Sequence, residues 1–335
     1  MAKPTNRPWT RQEVLATAGQ YRQACVLAAG AELDLFTRLR DRPSDARALA
    51  ERIGADARAL TALLDALAAM GLLVKQGGKY RPAPGVPGLL AEGAPDGVLG
   101  MVRHNANGMR RWSQLARVVL TGSPAKRTPS VRGEGADLAS FIAGMDEISR
   151  PLAPVVIGAL AGLKFRRLLD IGGASGTWTI AFLRRFRRAS AMIFDLPEVV
   201  PMARRRIAGA GLSGRAKIVG GDFATDALPK GADLAWVSAI VHQNSRLENR
   251  ALFAKVFAAL SPGGRIAIRD ILVDRSRTSP PDGAMFAVNM LVATNGGGTY
   301  TLAELAEDLE SAGFRDAVLA RKGTGMDSVI LAGKP

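Results

Sequence analysis

Residues 168–178 read LLDIGGASGTW, a short apolar run that ends in a glycine-rich turn. The apolar letters predict a buried strand, and Gly172, Gly173 and Gly176 let the backbone pass close to a ligand and open a helix. Ala174 stands where a G-x-G-x-x-G dinucleotide motif has its second glycine, which disfavours a dehydrogenase. Asp170, an acid inside the strand, suits a ligand with a positive charge and hydroxyl groups better than a pyrophosphate.

The sequence around this turn alternates between apolar runs and amphipathic segments. This alternation predicts an α/β fold, a Rossmann-like, doubly wound and mostly parallel seven-stranded sheet with helices on both faces. Ligands of such sheets bind beyond the carboxyl ends of the strands. The predicted strands cover residues 167–171, 191–195, 216–219, 234–238, 265–272, 317–320 and 328–332.

Two further strands are predicted to end in acids. FDLP (194–197) places Asp195 nineteen residues after Gly176, the position from which an acid accepts hydrogen bonds from a ribose diol, with Leu196 beside it. GGDF (220–223) places Asp222 where it would bind an exocyclic amine and Phe223 where it would cover an adenine ring. Three successive strands that end in acids predict an adenosine-containing ligand without phosphates.

The first part of the chain is predicted to be mostly helical. Helices over 21–31, 32–39, 46–53 and 56–70 are followed by LLVKQGGKYRPAP (72–84), which reads as a hairpin, so the order is that of a winged helix. The third helix of this winged helix is the one over 56–70. Its outward residues are one arginine, one aspartate and three alanines, which offer too few hydrogen-bond donors to read DNA bases. Dimerisation or packing is therefore the favoured role for this part.

The expected domains are a winged-helix dimerisation domain (12–95), a helical connector and substrate-pocket wall (96–163) and a cofactor-binding domain (164–335). Methionine and tryptophan on connector helices are usually core residues, but here they could equally line a pocket. The candidate pocket residues are His104, Met109, Trp112, Met145 and Asn289.

Composition limits the class of protein. The 335 residues are 47% hydrophobic, which indicates a globular chain of about two domains. The sequence contains one cysteine, Cys25, and two histidines. These are too few for a disulfide framework or a cysteine-rich zinc site, and we expect no metal. The N-terminus lacks an apolar signal segment and no stretch suits a membrane span, so a cytoplasmic protein is expected. The net charge of +15 fits arginine-rich solvated helix faces better than a nucleic-acid partner.

Together with LSPGGRIAIRD (260–270), these motifs resemble class I S-adenosylmethionine-dependent methyltransferases. With the winged-helix front, the chain from about residue 12 to 333 is similar to the plant-type small-molecule O-methyltransferases. The resemblance implies a homodimer in which the front domain helps to close the partner's substrate pocket. It also implies that Gly172, Asp195, Asp222 and Phe223 hold S-adenosylmethionine.

The resemblance places a general base at His242, just past the fourth strand of the sheet. An imidazole is a suitable proton acceptor at neutral pH for a hydroxyl group that attacks a sulfonium methyl. The aspartate that follows the base in the family is Gln243 here, and a lysine four residues earlier is Ser238, which we count among the cofactor residues. One of two family acids that orient the base matches Asp270, and the other falls on Thr299. His242 is therefore oriented by Asp270, by Gln243 or by neither.

Other functions remain open at this stage. An amino-methylating nucleic-acid enzyme would need an aromatic-flanked Pro-Pro motif after the fourth strand, and a cytosine C5 enzyme would need a catalytic cysteine. Neither feature is present in the sheet domain. A catalytically altered or non-methylating family member, an S-adenosylmethionine-sensing DNA-binding regulator, and nitrogen or carbon acceptors remain as alternatives.

Overall fold

The computed structural model describes residues 7–335, which form two compact units. The N-terminal unit comprises residues 7–113 and 127–148, and the sheet unit comprises 114–126 and 149–335. Residues 96–163, expected to form a connector and pocket wall, are shared between the two units. Their proposed role, and the three-part division, stay predictions.

The N-terminal unit is helical apart from one hairpin. Its elements are α1 (Arg11–Gly19), α2 (Tyr21–Glu32), α3 (Leu35–Asp41), α4 (Ala46–Ile53), α5 (Ala57–Ala69), β1 (Leu73–Gln76), β2 (Lys79–Pro82), α6 (Val86–Leu90) and α7 (Leu99–Trp112).

The predicted hairpin after the third winged-helix helix is present and is fixed to that helix. Strands β1 and β2 pair in antiparallel register, and the two glycines between them, Gly77 and Gly78, both have positive φ. Asp65 on α5 accepts hydrogen bonds from Lys75 Nζ at 2.6 Å and from the Tyr80 hydroxyl at 2.7 Å. Asp65 is thus occupied within the unit, which weakens α5 further as a DNA-reading helix.

Helix α8 (Leu115–Thr121) belongs to the sheet unit, whereas α9 (Glu134–Ala159) begins in the N-terminal unit and enters the sheet unit at residue 149. The remaining elements alternate as the sequence predicts. They are β3 (Arg167–Ile171), α10 (Thr177–Arg185), β4 (Ser190–Asp195), α11 (Val200–Gly209), β5 (Ala216–Gly220), β6 (Ala232–Ser238), a 3-10 turn (Val241–Gln243), α12 (Arg246–Ala259), β7 (Leu260–Asp270), α13 (Pro281–Ala293), α14 (Leu302–Ser311), β8 (Arg315–Arg321) and β9 (Ser328–Gly333).

The seven strands are ordered β5-β4-β3-β6-β7-β9-β8. The first five in this order pair in parallel, and β9 runs antiparallel to both of its neighbours. The prediction of a mostly parallel, seven-stranded doubly wound sheet is confirmed. The chain order reverses at β3, whose neighbours are β4 and β6, so a ligand crevice is expected beyond the carboxyl ends of these strands.

Alternate residues of each strand supply two separate cores. On one face, Ile171 and Ile268 pack with α12 and α14, and this face is called the α12 face. On the other, Leu168 and Ala267 pack with α10, α11 and the end of α9, and this face is called the α10 face. Because side chains alternate along a strand, the last residues of β3, β6 and β7 also divide between the two faces.

Candidate active site

The glycine turn after β3 requires glycine for steric reasons. Gly172 has φ of +63°, its N–H donates to the carbonyl of Phe194 at 2.8 Å, and a Cβ there would lie 2.6 Å from Ile240 Cδ1. A Cβ on Gly173 would lie 2.8 Å from Ile193 Cγ2. Gly176, with φ of +78°, precedes the first residue of α10. The turn is therefore held tightly against β4 and β6, with a helix N-terminus beside it.

Asp195, at the end of β4, is fixed in place by backbone donors. The N–H of Ala174 donates to its Oδ2 at 2.6 Å, and the N–H of Leu196 donates to its Oδ1 at 2.7 Å. Burial raises the pKa of Asp195, and these two hydrogen bonds oppose the rise. A carboxylate oxygen accepts more than one hydrogen bond, so both oxygens keep capacity for hydroxyl donors such as a ribose diol.

Asp170 lies deeper, on the α10 face, and is 1% exposed. Thr179 Oγ1 donates to its Oδ2 at 2.6 Å, whereas its Oδ1 has no partner within the described chain. Burial raises the pKa of Asp170 to about 7. A buried carboxylate with one open oxygen suits a donor or a positive group on a ligand.

The segment after β5 is held by one lysine. Lys255 Nζ donates to the carbonyls of Phe223 at 3.0 Å, Ala224 at 2.7 Å and Asp226 at 3.1 Å. The Asp222 carboxylate accepts the N–H of Ala224 at 2.8 Å. A Cβ on Gly172 would lie 3.9 Å from Phe223 Cε1, so the structure brings the Phe223 ring beside the glycine turn.

The predicted base and its acid meet on the α12 face. His242 Nδ1 lies 2.9 Å from each carboxylate oxygen of Asp270, and the two side chains are 9% and 2% exposed. The N–H of Ile271 also donates to Asp270 Oδ1, at 2.8 Å. A carboxylate offers no proton at neutral pH, so Nδ1 must carry the hydrogen and Nε2 keeps its lone pair. This arrangement makes Nε2 a proton acceptor.

The side chains at the two substituted family positions form no hydrogen bond with the imidazole. Gln243 Nε2 donates to the carbonyl of Ala239 at 2.9 Å, and Thr299 is buried with its carbonyl bonded to Arg277. Among the three alternatives for orienting His242, the structure therefore has Asp270. The ring of Phe286, on α13, stands perpendicular to the imidazole at 4.8 Å, a contact that the sequence analysis did not predict.

The predicted pocket residues fall in both units. His104, Met109, Trp112 and Met145 belong to the N-terminal unit, where the ring of His104 lies 5.0 Å from that of Phe141. Burial lowers the pKa of His104, and nearby Arg111 lowers it further. Asn289 lies on α13 in the sheet unit. A role for these residues in a substrate pocket stays a prediction.

Residues 7–335 contain neither a cluster of metal ligands nor a membrane-spanning helix. No group of three or more His, Cys, Asp or Glu side chains in this range is placed to hold a metal ion. Within the same residues, every helix is too short or too polar to cross a membrane.

Two family models match the chain. An O-methyltransferase domain matches residues 130–315, which is more than half of the chain, and an O-methyltransferase dimerisation domain matches residues 15–85. The second match lies within the predicted winged-helix domain (12–95) and runs from inside α1 past the hairpin.

Curated relatives and solved structures agree with these models. The chain is 34% identical to the 3-hydroxy-5-methyl-1-naphthoate 3-O-methyltransferase of Streptomyces sahachiroi, over 92% of this chain and 90% of the relative. It is 32% identical to the tetracenomycin polyketide synthesis 8-O-methyl transferase of Streptomyces glaucescens, over 92% of each. Among solved structures, human N-acetylserotonin methyltransferase in complex with SAM superposes with a TM-score of 0.81 at 26% identity, over 99% of each chain.

Proposed function

The chain belongs to the O-methyltransferase family and is an S-adenosylmethionine-dependent methyltransferase, and from this premise we propose that His242 is its general base. We propose further that its acceptor is a hydroxyl group of a small aromatic or polyketide-like molecule. The observation that carries the proposal is the contact of His242 Nδ1 with both oxygens of buried Asp270, which leaves Nε2 as the acceptor.

The cofactor residues fit an adenosine ligand with a sulfonium and an amino-acid end. Asp195 would accept hydrogen bonds from the ribose hydroxyls, and Asp222 would accept one from the adenine amine. Phe223 and exposed Leu196 would cover the faces of the adenine ring. The open Oδ1 of Asp170 would face a positive group. S-adenosylmethionine supplies an electrophilic methyl group.

The proposed role of His242 is to accept the proton of the acceptor hydroxyl group. When the acceptor oxygen takes the methyl carbon, the bond from that carbon to the sulfonium sulfur would break and leave a thioether, and the hydroxyl proton would pass to Nε2 of His242. Asp270 holds the ring through Nδ1–H and stabilises the imidazolium that results. In-line displacement depends mainly on proximity and orientation, and the perpendicular contact with Phe286 restricts rotation of the imidazole.

The acceptor class rests on two arguments. The two relatives described above carry names that specify a hydroxynaphthoate and a tetracenomycin polyketide as substrates. Phe286 also places an aromatic ring against the base, which favours a flat aromatic acceptor over a sugar or a peptide. Phenols are more acidic than alkyl hydroxyls, so a base oriented by one carboxylate is sufficient for them.

Assembly and location are part of the same proposal. The segment that matches the dimerisation domain would join two copies into a homodimer, and its position in the family suggests that each copy closes the other's pocket. A cytoplasmic location is proposed from the composition. Light scattering at micromolar concentration tests the dimer, and a monomer there would contradict it.

The test of the function is methyl transfer from labelled S-adenosylmethionine to a panel of phenols and aromatic polyketides, followed by mass spectrometry. The wild type and Gln243→Ala should methylate the same acceptors at similar rates, since Gln243 contacts backbone and not the imidazole. His242→Gln should be slower by about 10²- to 10⁴-fold. Transfer to amines alone, or equal rates for His242→Gln, would contradict the proposal.

A further inference from the structure

An unusual set of buried polar atoms lies on the α10 face, at the carboxyl ends of β3, β6 and β7. Four side-chain atoms there have no hydrogen-bond partner within the described residues: Asp170 Oδ1, Trp236 Nε1, Ser238 Oγ and Arg269 Nε. In the sheet register Asp170 pairs with Trp236, and Ser238 pairs with Arg269. Trp236 and Ser238 lie two residues apart on β6, so their side chains point to the same face of the sheet. The side chains of their pairing partners, Asp170 and Arg269, point to that face as well.

Arg269 contributes the positive charge of this set of buried polar side chains. Its side chain is 4% exposed, and within residues 7–335 its guanidinium forms no ion pair or hydrogen bond with protein. Its Cζ lies 4.4 Å from the centre of the Trp178 ring, at the start of α10. Burial lowers the pKa of Arg269 to about 10, so it is still charged at neutral pH. The carboxylates of Asp270 and Asp327 favour this charge but form no ion pair with it. A buried charge without a direct partner is costly, which favours an anion as the missing partner.

The surroundings of Arg269 favour an anion that also carries a positive group. Ser238 offers a hydroxyl donor beside Arg269, and Asp170 offers an open carboxylate oxygen two strands away. A donor pair near an acceptor matches a zwitterion, with a carboxylate at one end and an ammonium at the other. The glycine turn, against which adenosine would bind, lies directly after β3.

We propose that Arg269 and Ser238 bind the carboxylate of the amino-acid end of S-adenosylmethionine, while Asp170 faces its ammonium group. Ser238 replaces the lysine that stands four residues before the base in the family, so Arg269 supplies the positive charge from the neighbouring strand. This inference rests on the proposed cofactor site, but it concerns a part of the ligand that the adenosine residues do not touch.

The experiment compares two ligands that differ at that end. S-adenosylhomocysteine carries the amino-acid group, and 5′-methylthioadenosine lacks it. Calorimetric affinities of both should be measured for the wild type, Arg269→Met, Arg269→Lys and Ser238→Ala. Arg265→Met is the matched control, since Arg265 lies near the middle of the same strand and is exposed.

Arg269→Met should weaken S-adenosylhomocysteine binding by about 10- to 150-fold and leave 5′-methylthioadenosine binding within about two-fold. Arg269→Lys should recover part of the loss, and Arg265→Met should match the wild type. The ligand-free Arg269→Met protein should melt at the wild-type temperature or above it, because an apolar side chain replaces an unpaired buried charge.

Equal losses for both ligands, or no loss for either, would overturn the inference and make Arg269 a packing residue. If Arg269→Met does not fold, Ser238→Ala and Arg269→Lys decide by the same ligand comparison. A wild type that binds neither ligand would overturn the proposed cofactor site itself, and this result is distinct from the others.

Discussion

Replacing Asp270 with asparagine should invert the protonation of His242 without changing the shape of the site. The N–H of Ile271 donates to the oxygen at the Oδ1 position at 2.8 Å, so the amide oxygen must stay there. The amide NH₂ then occupies the Oδ2 position, 2.9 Å from Nδ1. Nδ1 lies equally close to the amide oxygen, but an Nδ1–H would then also face the amide NH₂, so the tautomer in which Nδ1 accepts and Nε2 carries the ring proton is favoured. The base is then blocked.

The expected loss in kcat is about 10²- to 10⁴-fold, the range in which a general base contributes. This corresponds to about 2.7–5.5 kcal/mol of transition-state stabilisation. Affinity for S-adenosylhomocysteine should change little, because the Asp270 side chain forms its hydrogen bonds on the α12 face, to His242 and Ile271, and acts on Arg269 only through its charge.

The assay is single-turnover methyl transfer from labelled S-adenosylmethionine to an identified phenol, with cofactor affinity measured by calorimetry on the same preparation. Thr299→Ala is a suitable control, since the Thr299 side chain forms no hydrogen bond with His242 or Asp270 in the described structure, where its carbonyl binds Arg277. Turnover of Asp270→Asn within about three-fold of the wild type, with cofactor affinity intact, would refute the assignment of the tautomer and of the base.

Three further predictions concern the carboxylates. Asp195→Ala should weaken S-adenosylhomocysteine binding by about 1.5–3 kcal/mol, as measured by calorimetry, and an unchanged affinity would contradict its proposed contact with the ribose. Burial raises the pKa of Asp170 from 3.8 to about 7, so the stability it contributes is full below about pH 4 and is lost as the pH rises towards 7. The loss of unfolding free energy in the wild type is about 4 kcal/mol at most, and urea unfolding of Asp170→Asn between these pH values should not show it. A pH profile of stability that runs parallel to the wild type would contradict the raised pKa of Asp170. Asp308→Ala should lower the free energy of unfolding by about 3 kcal/mol, because Asp308 is fully buried and binds Arg246 at 2.7 Å. Glu307→Ala, at the exposed neighbouring residue, should lower the free energy of unfolding by less than about 1 kcal/mol. Equal losses of stability for Asp308→Ala and Glu307→Ala would contradict the role of burial.

The sheet and its first ligand contacts could be predicted because their signals are local. Alternating apolar runs, the glycine turn and the acids at strand ends each depend on a few consecutive residues. The sequence therefore places Asp170, Asp195 and Asp222 at one edge of the sheet before any contact between strands is known.

Contacts that depend on tertiary packing could not be predicted in this way. Nothing in the strand sequence LSPGGRIAIRD distinguishes Arg269 from an exposed arginine. Its burial depends on packing against Trp178, which lies on another element. The approach of Phe286 to His242 depends on how α13 packs, and no local pattern specifies it. The choice of Asp270 over Gln243 as the orienting group follows from the direction of two side chains.

The most direct test of the account is the dependence of methyl transfer on the acidity of the acceptor. A series of phenols with pKa from about 6 to 10 should be compared for the wild type and His242→Gln under saturating S-adenosylmethionine. If His242 removes the proton, the loss caused by His242→Gln should be largest for the least acidic phenols and should nearly vanish for those already ionised at the assay pH. A loss that is the same across the series would show that His242 is not the base.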